Sequence, residues 1–537
     1  MANTGPELVV AIVRPVGTSG DAFHDALKSV LHQYAYTVHE IKLSDLLRDE
    51  AVRQGREIPD RHEAARIEAL MDEGDRLCAD NGAGSAVALL GVAEIRAYRH
   101  ETNTALGIAN GEAADTPVAR TAYVLDSLKR PAEVTHLRRL YGDHVLVVSL
   151  QASRATRVQT LETKIRSQRA SITTRQLDEI IDRLIDRDLR ETDVYGQNTM
   201  RAFPMADVFI DIDQDVPVEV TRVVDLLFDS PVYRPPTPAE FSMSLANVTS
   251  TRSAELGLKV GAALVNADDA VIGLGHNAQP DPNHLPEFDP STTEIADLLV
   301  DTLTRLGNDV LTEQSRQELA RDPDTYAARL LDGVLADSRL RNLIEFQRPV
   351  HAEMNALLAA LRARADVIGG TMYVTAYPCH HCARHLVAIP LKVVYLEPYP
   401  KSRAEAMYGA AVGDTFHPFT GVAPRRYAQL FSAVSDRKDA TGLRRKWGDA
   451  ERAGAFPKVD ALIEPSTIAS REISALGSLG QTVDDTKRPP TENLSHPPTT
   501  LKNAGTGTAR PAKRTRRSAS LPPTSPAPRK TPRGGRS

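Results

Sequence analysis

The feature that most constrains this chain is a pair of short segments rich in metal-binding side chains. The first is His-Ala-Glu at residues 351–353, and the second is Pro-Cys-His-His-Cys at residues 378–382. A zinc site with three protein ligands keeps its fourth position for water, which distinguishes a catalytic site from a closed structural one. We therefore predict a catalytic Zn²⁺ held by His351, Cys379 and Cys382, with the carboxylate of Glu353 beside it to carry protons.

The spacing of these residues predicts that both segments open helices. Cys379 and Cys382 are three residues apart, which on a helix turns both sulfurs to one side. Pro378 suits the first turn of that helix, and the apolar residues after His351 recur at helical spacing. A lone CxxC is also typical of a redox site or of half a zinc finger, but no second CxxC exists and Cys78 is the only other cysteine. The combined His-x-Glu and Pro-Cys-x-x-Cys pattern is the signature of zinc nucleobase deaminases.

Composition separates a folded body from a basic end. The 537 residues suffice for two or three domains, and the net charge is −5. Residues 501–537 hold ten Lys and Arg and no acidic residue, in a context rich in Pro, Ser, Thr and Gly. We predict a disordered basic tail over 470–537, in which Lys513–Arg517 either contacts nucleic acid or is simply solvated.

Compartment and membrane contact follow from what the sequence lacks. No apolar run of about 18 residues is present, so we expect no membrane partner. No secretory signal is evident at the N-terminus. Three cysteines, two of them assigned to zinc, argue for a reducing compartment, and we expect a cytoplasmic protein.

The first 230 residues have the pattern of an α/β domain. An apolar run at 8–13 leads into a glycine-bearing loop and then a helical pattern, which is the layout of a phosphate-binding loop. The full P-loop motif is not met, because no Gly-Lys-Ser/Thr follows. We predict a degenerate nucleotide-binding loop formed by Arg14, Gly17 and Gly20. Further strands are predicted at 122–125, 145–150 and 208–212; Asp126 follows one of them, as a metal ligand or as a helix cap.

A second domain is predicted over 235–450, after the Pro235-Pro236 linker. Two strands at 259–265 and 270–275 form a hairpin, and two more lie at 371–375 and 392–396. Between them, residues 281–349 form a long insertion with helical patterns, since a structureless loop of that length is improbable. We expect this insertion to act as a helical lid or an oligomer contact.

The chain resembles the bacterial anti-phage deoxycytidine nucleotide deaminases. The resemblance is carried by residues 126–131, 137–142, 195–197, 206–211, 351–356 and 395–402. It implies a P-loop-kinase-like N-terminal domain joined to a cytidine-deaminase-like α/β/α domain. The implied reaction is zinc-dependent deamination of deoxycytidine monophosphate or triphosphate (dCMP or dCTP), which starves phage of DNA precursors. It also implies partners: a regulatory nucleotide at the N-terminal domain, a small RNA that restrains the activity, and further copies of the chain in a homo-oligomer.

The same resemblance suggests roles for further residues. Asn277 would contact the nucleoside, unless it is only a turn asparagine, and the backbone N–H of Ala352 would orient the base. Arg252, Lys259 and Lys401 are candidates for the substrate phosphate, although Arg252 and Lys259 are equally read as surface charges. The family's frequent cysteine shortly after Arg252-Ser253 is absent, so no second zinc set is expected.

Two other functions remain open from the sequence. One is a nucleic-acid-editing cytidine deaminase that uses the basic tail to hold its substrate. The other is a nucleotide-sensing module in the first domain, with the deaminase as its effector.

Overall fold

The computed structural model describes residues 5–59, 62–168, 172–191, 193–280, 290–336, 338–432, 436–459 and 465–480. The basic cluster Lys513–Arg517 and the rest of the predicted tail after residue 480 lie outside these ranges. The first part of the predicted insertion, residues 281–289, also lies outside them.

The described residues form a mixed α/β structure with two sheets, which confirms the predicted α/β class. The strands are β1 (Leu8–Val13), β2 (Thr37–Lys42), β3 (Thr121–Leu128), β4 (Val145–Gln151), β5 (Val208–Asp211), β6 (Gly261–Val265), β7 (Val271–His276), β8 (Thr371–Ala376), β9 (Lys392–Glu397), β10 (Phe416–Pro418) and β11 (Gly421–Val422).

Helices connect and cover these strands. They are α1 (Asp21–Gln33), α2 (Leu43–Arg53), α3 (Glu63–Asp80), α4 (Ala86–Ala105), α5 (Asn110–Ala113), α6 (Pro131–Tyr141), α7 (Arg154–Gln168), α8 (Thr174–Leu189), α9 (Thr199–Ala202), α10 (Val216–Leu227), α11 (Pro238–Ser250), α12 (Pro290–Val310), α13 (Glu313–Arg321), α14 (Pro323–Asp332), α15 (Ala352–Arg362), α16 (His380–Leu386), α17 (Ala404–Tyr408), α18 (Ala410–Thr415), α19 (Pro424–Phe431), α20 (Asp449–Gly454) and α21 (Pro465–Gly480). Within the described residues, every helix is too short or too polar to cross a lipid bilayer.

The first sheet has the strand order β11-β5-β4-β1-β3-β2, in which the five strands from β5 to β2 run parallel. All six residues of β1 are buried, as a continuous apolar run requires when helices cover both faces of a parallel sheet. Helix α1 follows β1 on one face, and α6 follows the neighbouring β3 on the other. Chain connections that leave adjacent strands on opposite faces open a crevice at the strands' carboxyl ends, where α/β sheets bind ligands.

The second sheet has the order β10-β9-β8-β6-β7 and is antiparallel at β6 but parallel from β8 to β10. Helix α15 lies directly on β7, because β7 offers glycines and α15 offers small residues at four-residue spacing, namely Ala352, Ala356 and Ala360. A Cβ atom on Gly275 would lie 2.1 Å from the backbone oxygen of Ala352. The first turn of α15 is therefore pressed against the carboxyl end of β7.

The predicted insertion is helical where it is described. Helices α12, α13 and α14 fill most of it, and α12 and α14 share a small apolar cluster of their own formed by Ile295, Leu299, Ala327 and Leu331. The described part of the insertion therefore has an apolar cluster separate from those of the two sheets.

The chain returns to the first sheet after the second one is complete. Strand β11 pairs antiparallel with β5, and Val422, Leu430 and Phe431 are buried among side chains of the first sheet. The described residues 421–432 and 447–459 therefore pack with the first sheet, which corrects the end of the predicted range 235–450. The predicted start of the tail, residue 470, is also wrong: α21 continues to residue 480, and its buried Glu472 lies 2.6 Å from the Arg99 guanidinium.

Candidate metal centre and substrate pocket

The three predicted zinc ligands lie at the starts of two helices. His351 precedes α15, and Cys379 and Cys382 sit at the first turn of α16, which follows β8. The His351 Nδ1 atom is 3.3 Å from the Cys379 sulfur and 3.4 Å from the Cys382 sulfur. Zinc bonds of about 2.0 Å to nitrogen and about 2.3 Å to sulfur at a tetrahedral angle separate such atoms by about 3.5 Å, so the donor set fits one zinc ion.

The second ring nitrogen of His351 supports this assignment. Its Nε2 atom lies 3.0 Å from the Gln347 side-chain oxygen, which can only accept a hydrogen bond. A neutral imidazole with its proton on Nε2 makes this hydrogen bond and leaves the Nδ1 lone pair for a metal. Metal-binding histidines usually have such an outer partner, because it fixes the tautomer and the ring orientation.

The two cysteines differ in how readily their thiols lose a proton. The hydrogen bond with Cys382, together with the neighbouring imidazole, lowers the pKa of Cys379 to about 4. The same hydrogen bond, burial and the charge of Glu353 raise the pKa of Cys382. Cys379 is thus a thiolate at neutral pH, and a cation between the two sulfurs would favour the second thiolate as well.

Glu353 lies in the first turn of α15, two residues after His351, and is not one of the three predicted metal ligands. Its side chain is buried, and this burial raises the pKa of Glu353 to about 7, although the His351 imidazole acts in the opposite direction. A carboxyl group with a pKa near neutrality can both accept and release a proton.

Comparison with known families agrees with this centre. Residues 236–397 match the cytidine and deoxycytidylate deaminase zinc-binding region. We call this part of the chain the deaminase region.

Individual relatives match shorter or more distant stretches. The deoxycytidylate deaminase of Enterobacteria phage T2 is 44% identical over 55 residues, which are 10% of this chain and 29% of the phage protein. The chain therefore spans under a third of that relative's length. The deoxycytidylate deaminase of Mus musculus is 24% identical over 187 residues, or 34% of this chain and 79% of the mouse protein. The crystal structure of the dCMP deaminase from the cyanophage S-TIM5 in complex with dCMP and dUMP is 17% identical and covers 35% of this chain and 100% of its own, with a TM-score of 0.22.

The metal centre opens into a pocket of about 730 Å³. Its volume is in the range that small-molecule sites usually have. Predicted residues that line it are His351, Ala352, Glu353, Cys379, Asn277 and Lys401. The structure thus brings together the zinc ligands His351 and Cys379, the predicted acid–base residue and three of the predicted substrate contacts, whose roles stay predictions.

Two of these residues have a defined local role. Ala352 is the first residue of α15, so its N–H has no partner within the helix and is available to a ligand. The Asn277 side chain accepts a hydrogen bond from the N–H of Val260 and donates one to the backbone oxygen of Leu258, both at 2.8 Å. Asn277 therefore shapes the pocket wall by holding the segment before β6.

Other predicted residues lie elsewhere. Arg252 and Lys259 are exposed and are not among the lining residues. Sequence reasoning missed several residues that do line the pocket, namely Arg190, Asn198, Met200, Arg201, Glu255 and Arg348. The stretch 195–197, which carried part of the family resemblance, adjoins Asn198 and was the available signal.

A second trio of possible metal donors adjoins the first outside the pocket. His380 and His381 each place Nε2 within 3.8 Å of a Glu345 carboxylate oxygen. Glu345 and His381 are largely open to solvent, so zinc measurements on this chain need a variant that removes this trio.

The predicted nucleotide loop lies at the crevice of the first sheet, beside a cavity of about 200 Å³ lined by Arg14 and Gly17 among others. Arg14 contacts both carboxylate oxygens of Asp126, at 2.7 and 2.9 Å. Gly20 lies outside the lining and precedes α1. Asp126 thus pairs with the arginine that directly follows the neighbouring strand β1.

Proposed function

We propose that this chain is a zinc-dependent hydrolase that converts deoxycytidine nucleotides into deoxyuridine nucleotides and ammonia. The observation that carries the proposal is the centre in which one imidazole nitrogen lies 3.3 and 3.4 Å from two sulfurs, with the buried Glu353 beside it in a pocket of about 730 Å³. The match of residues 236–397 to a deaminase zinc-binding region agrees with it.

The residues have distinct tasks in this reaction. His351, Cys379 and Cys382 would hold zinc, which when bound supplies a Lewis acid that makes water nucleophilic near neutral pH. Glu353 accepts a proton from the attacking water and delivers it to the ring N3. It then takes the second proton, from the new hydroxyl group at C4, and gives it to the amine, which leaves as ammonia. Its pKa of about 7 suits both transfers. The Ala352 N–H and the Asn277 wall orient the base and the sugar.

The direct test is product analysis with free nucleotides. The zinc-loaded chain is incubated with dCMP, dCTP and deoxycytidine, and the deoxyuridine products are separated by chromatography. We expect Glu353→Ala to keep its zinc and lose deamination, because the metal ligands stay but the proton carrier is gone. Glu345→Gln removes a carboxylate outside the pocket and serves as the matched control. Wild-type turnover by Glu353→Ala would remove this residue from the reaction.

We further propose that the biological role is defence against phage by depletion of deoxycytidine nucleotides. Its support is the resemblance of the stretches 126–131, 195–197 and 395–402 to the anti-phage deaminases, and a cytoplasmic location fits that role. Partners would be further copies of the chain and a small restraining RNA. If the substrate is instead a cytidine within nucleic acid, single-stranded oligonucleotides will be deaminated and free nucleotides will not.

For the upstream part we propose a P-loop-kinase-like domain of residues 1–230, completed by the returning residues 421–432 and 447–459. The parallel order of its strands and its crevice between β1 and β3 support this proposal. A regulatory nucleotide would bind near Arg14, Gly17 and Gly20 by displacing Asp188 from the N–H of Val16, which would make the domain a sensor for the deaminase. Nucleotide titration of the full chain, with Tyr and Trp fluorescence as the signal, tests it.

A further inference from the structure

We call the pocket of about 730 Å³ at the metal centre the deaminase pocket. Its wall is built from both halves of the chain. The upstream half contributes Arg190, Asn198, Met200 and Arg201, and the deaminase region contributes the metal centre and the opposite wall. The upstream domain therefore forms part of the substrate site itself.

The upstream wall is held in place from behind. The N–H of Asn198 donates to the backbone oxygen of Lys129 at 3.0 Å, and Arg130 donates to the backbone oxygen of Tyr195 at 2.7 Å. The Asn198 side chain in turn accepts from the backbone N–H of Arg201 and caps α9. The segment is thus anchored to the end of β3, and a preorganised wall of this kind loses little entropy when a ligand binds.

The pocket carries an excess of unpaired positive charge. Arg190, Arg201, Arg348 and Lys401 line it, and in the described part of the chain none of them lies within 4.0 Å of a carboxylate oxygen. Apart from Glu353 at the metal centre, Glu255 is the acidic residue of the lining. Four exposed cations around one pocket repel one another, and an anionic ligand relieves this repulsion.

The four cations divide by the segments that carry them into a pair that we call inner, Arg348 and Lys401, and a pair that we call outer, Arg190 and Arg201. Arg348 follows Gln347, which contacts His351, and Lys401 belongs to a turn whose Ser402 hydroxyl donates to the backbone oxygen of Pro378 at 2.8 Å. Both are thus attached to the segments that carry the metal ligands. Arg190 and Arg201 come from the upstream wall and are attached to the first sheet instead.

A nucleotide bound with its base at the metal centre extends its phosphates away from that centre. One phosphate ester carries a charge of about −2 and is matched by the inner pair. We propose that Arg190 and Arg201 bind the outer phosphates of deoxycytidine triphosphate, so that the upstream half of the chain selects the triphosphate over the monophosphate. This inference rests on the proposed deaminase function. Arginine suits the task because its planar group donates two parallel hydrogen bonds to a phosphate.

The test compares substrates that differ only in phosphate number. Arg190→Gln, Arg201→Gln and the double variant are assayed with dCTP, dCMP and deoxycytidine. We expect KM for dCTP to rise about tenfold or more in each single variant, as loss of a charged hydrogen bond predicts, with kcat unchanged. KM for dCMP should change by less than about threefold and that for deoxycytidine not at all. Arg175→Gln, an exposed arginine at the other end of α8, is the matched control.

Binding measured without turnover separates the two proposals. If the wild-type chain binds dCTP in calorimetry and the double variant does not, the phosphate contacts stand even where no substrate is deaminated, and only the proposed reaction fails. If all three substrates are deaminated and the double variant keeps the wild-type KM for dCTP, the phosphate contacts are refuted and the reaction stands. A loss in the double variant confined to single-stranded oligonucleotides would also refute the triphosphate assignment.

Discussion

Two cavities of this chain, the crevice of the first sheet and the pocket at the metal centre, contain similar side chains in opposite electrostatic states. At the crevice of the first sheet, Arg14 is paired with Asp126, Lys129 lies 2.7 Å from Asp188, and Arg130 contacts Asp75 and Glu133. In the deaminase pocket, four cations have no such partner among the described residues. Positive charge near a cavity is therefore not enough to indicate a phosphate site. Cations that already have carboxylate partners must lose them before they can bind a phosphate, whereas unpaired cations can bind one directly.

In the first cavity, a carboxylate of the chain itself accepts a hydrogen bond from the backbone of the predicted nucleotide loop. The backbone N–H of Val16, in the position where such loops bind phosphate, donates to the carboxylate of Asp188 at 2.9 Å. A carboxylate of the chain occupies a donor that an anionic ligand would otherwise use. A nucleotide phosphate at this loop would have to displace Asp188 and leave Lys129 without its partner.

The electrostatics of the first cavity agree with stable pairing. Burial alone raises the pKa of Asp126, but the nearby His24 imidazole, 3.5 Å away, and the hydrogen bonds from Arg14 lower it below its ordinary value. Burial lowers the pKa of Lys129, although Asp188 acts in the opposite direction. Both groups therefore depend on their partners to remain charged.

The largest expected effect is that of removing a predicted zinc ligand, which should affect the deaminase pocket and leave the first sheet unchanged. Cys382→Ala removes one of three zinc ligands, so we expect loss of the pocket zinc and of all measurable deamination. In the described residues the candidate metal donors lie outside the first sheet. We therefore expect no change in the fluorescence of Trp447, the single tryptophan, which packs against that sheet. Zinc content, activity and emission spectrum are measured on the same preparation.

Two controls keep this result interpretable. Cys78→Ala alters the remaining cysteine, whose pKa burial raises to about 11, and should leave zinc and activity intact. Glu345→Gln removes the neighbouring donor trio, so that any zinc it retains belongs to the pocket. A Cys382→Ala protein with one bound zinc in the Glu345→Gln background would contradict the assigned ligand set.

The second effect tests the pairing in the first cavity. Asp188→Ala leaves the buried ammonium of Lys129 without its carboxylate, and we expect a loss of stability of about 3 kcal/mol. Arg201→Gln in the deaminase pocket breaks no ion pair and should cost less than about 0.5 kcal/mol. Urea unfolding followed by Trp447 fluorescence measures both, and equal midpoints for the two variants would end the distinction between the cavities.

Local patterns in the sequence predicted much of the fold and the candidate metal centre with Glu353. Apolar runs identified β1, β3, β4 and β5, because strands buried on both faces consist of such runs. Strand β2 was missed, since its buried Ile41 is surrounded by half-buried and exposed residues that conceal it. Strand β11 has two residues and is defined by its pairing with β5, so no local pattern identifies it.

The candidate zinc ligands were predictable because the residue types and their short sequence spacing determine whether the side chains can bind one metal ion. The upstream wall of the pocket was not, because Arg190 and Arg201 lie 150 residues or more before His351 and meet the pocket only through the packing of the two halves. For the same reason Arg252 and Lys259, which are close to the deaminase strands in sequence, were chosen as phosphate contacts although they lie outside the lining.

The smallest expected effect is the response to salt, and it depends on exposure. Charges in water are screened within about 8 Å at physiological ionic strength, whereas buried pairs are screened much less. Raising salt from about 50 to about 300 mM should therefore increase KM for dCTP several-fold, with a smaller increase for dCMP and none for deoxycytidine. The same change should leave the urea midpoint of the first sheet almost unaltered, since its pairs are enclosed. A KM for dCTP that does not respond to salt would mean that the four pocket cations do not face the substrate phosphates, and the contrast between a paired and an unpaired cavity would lose its functional meaning.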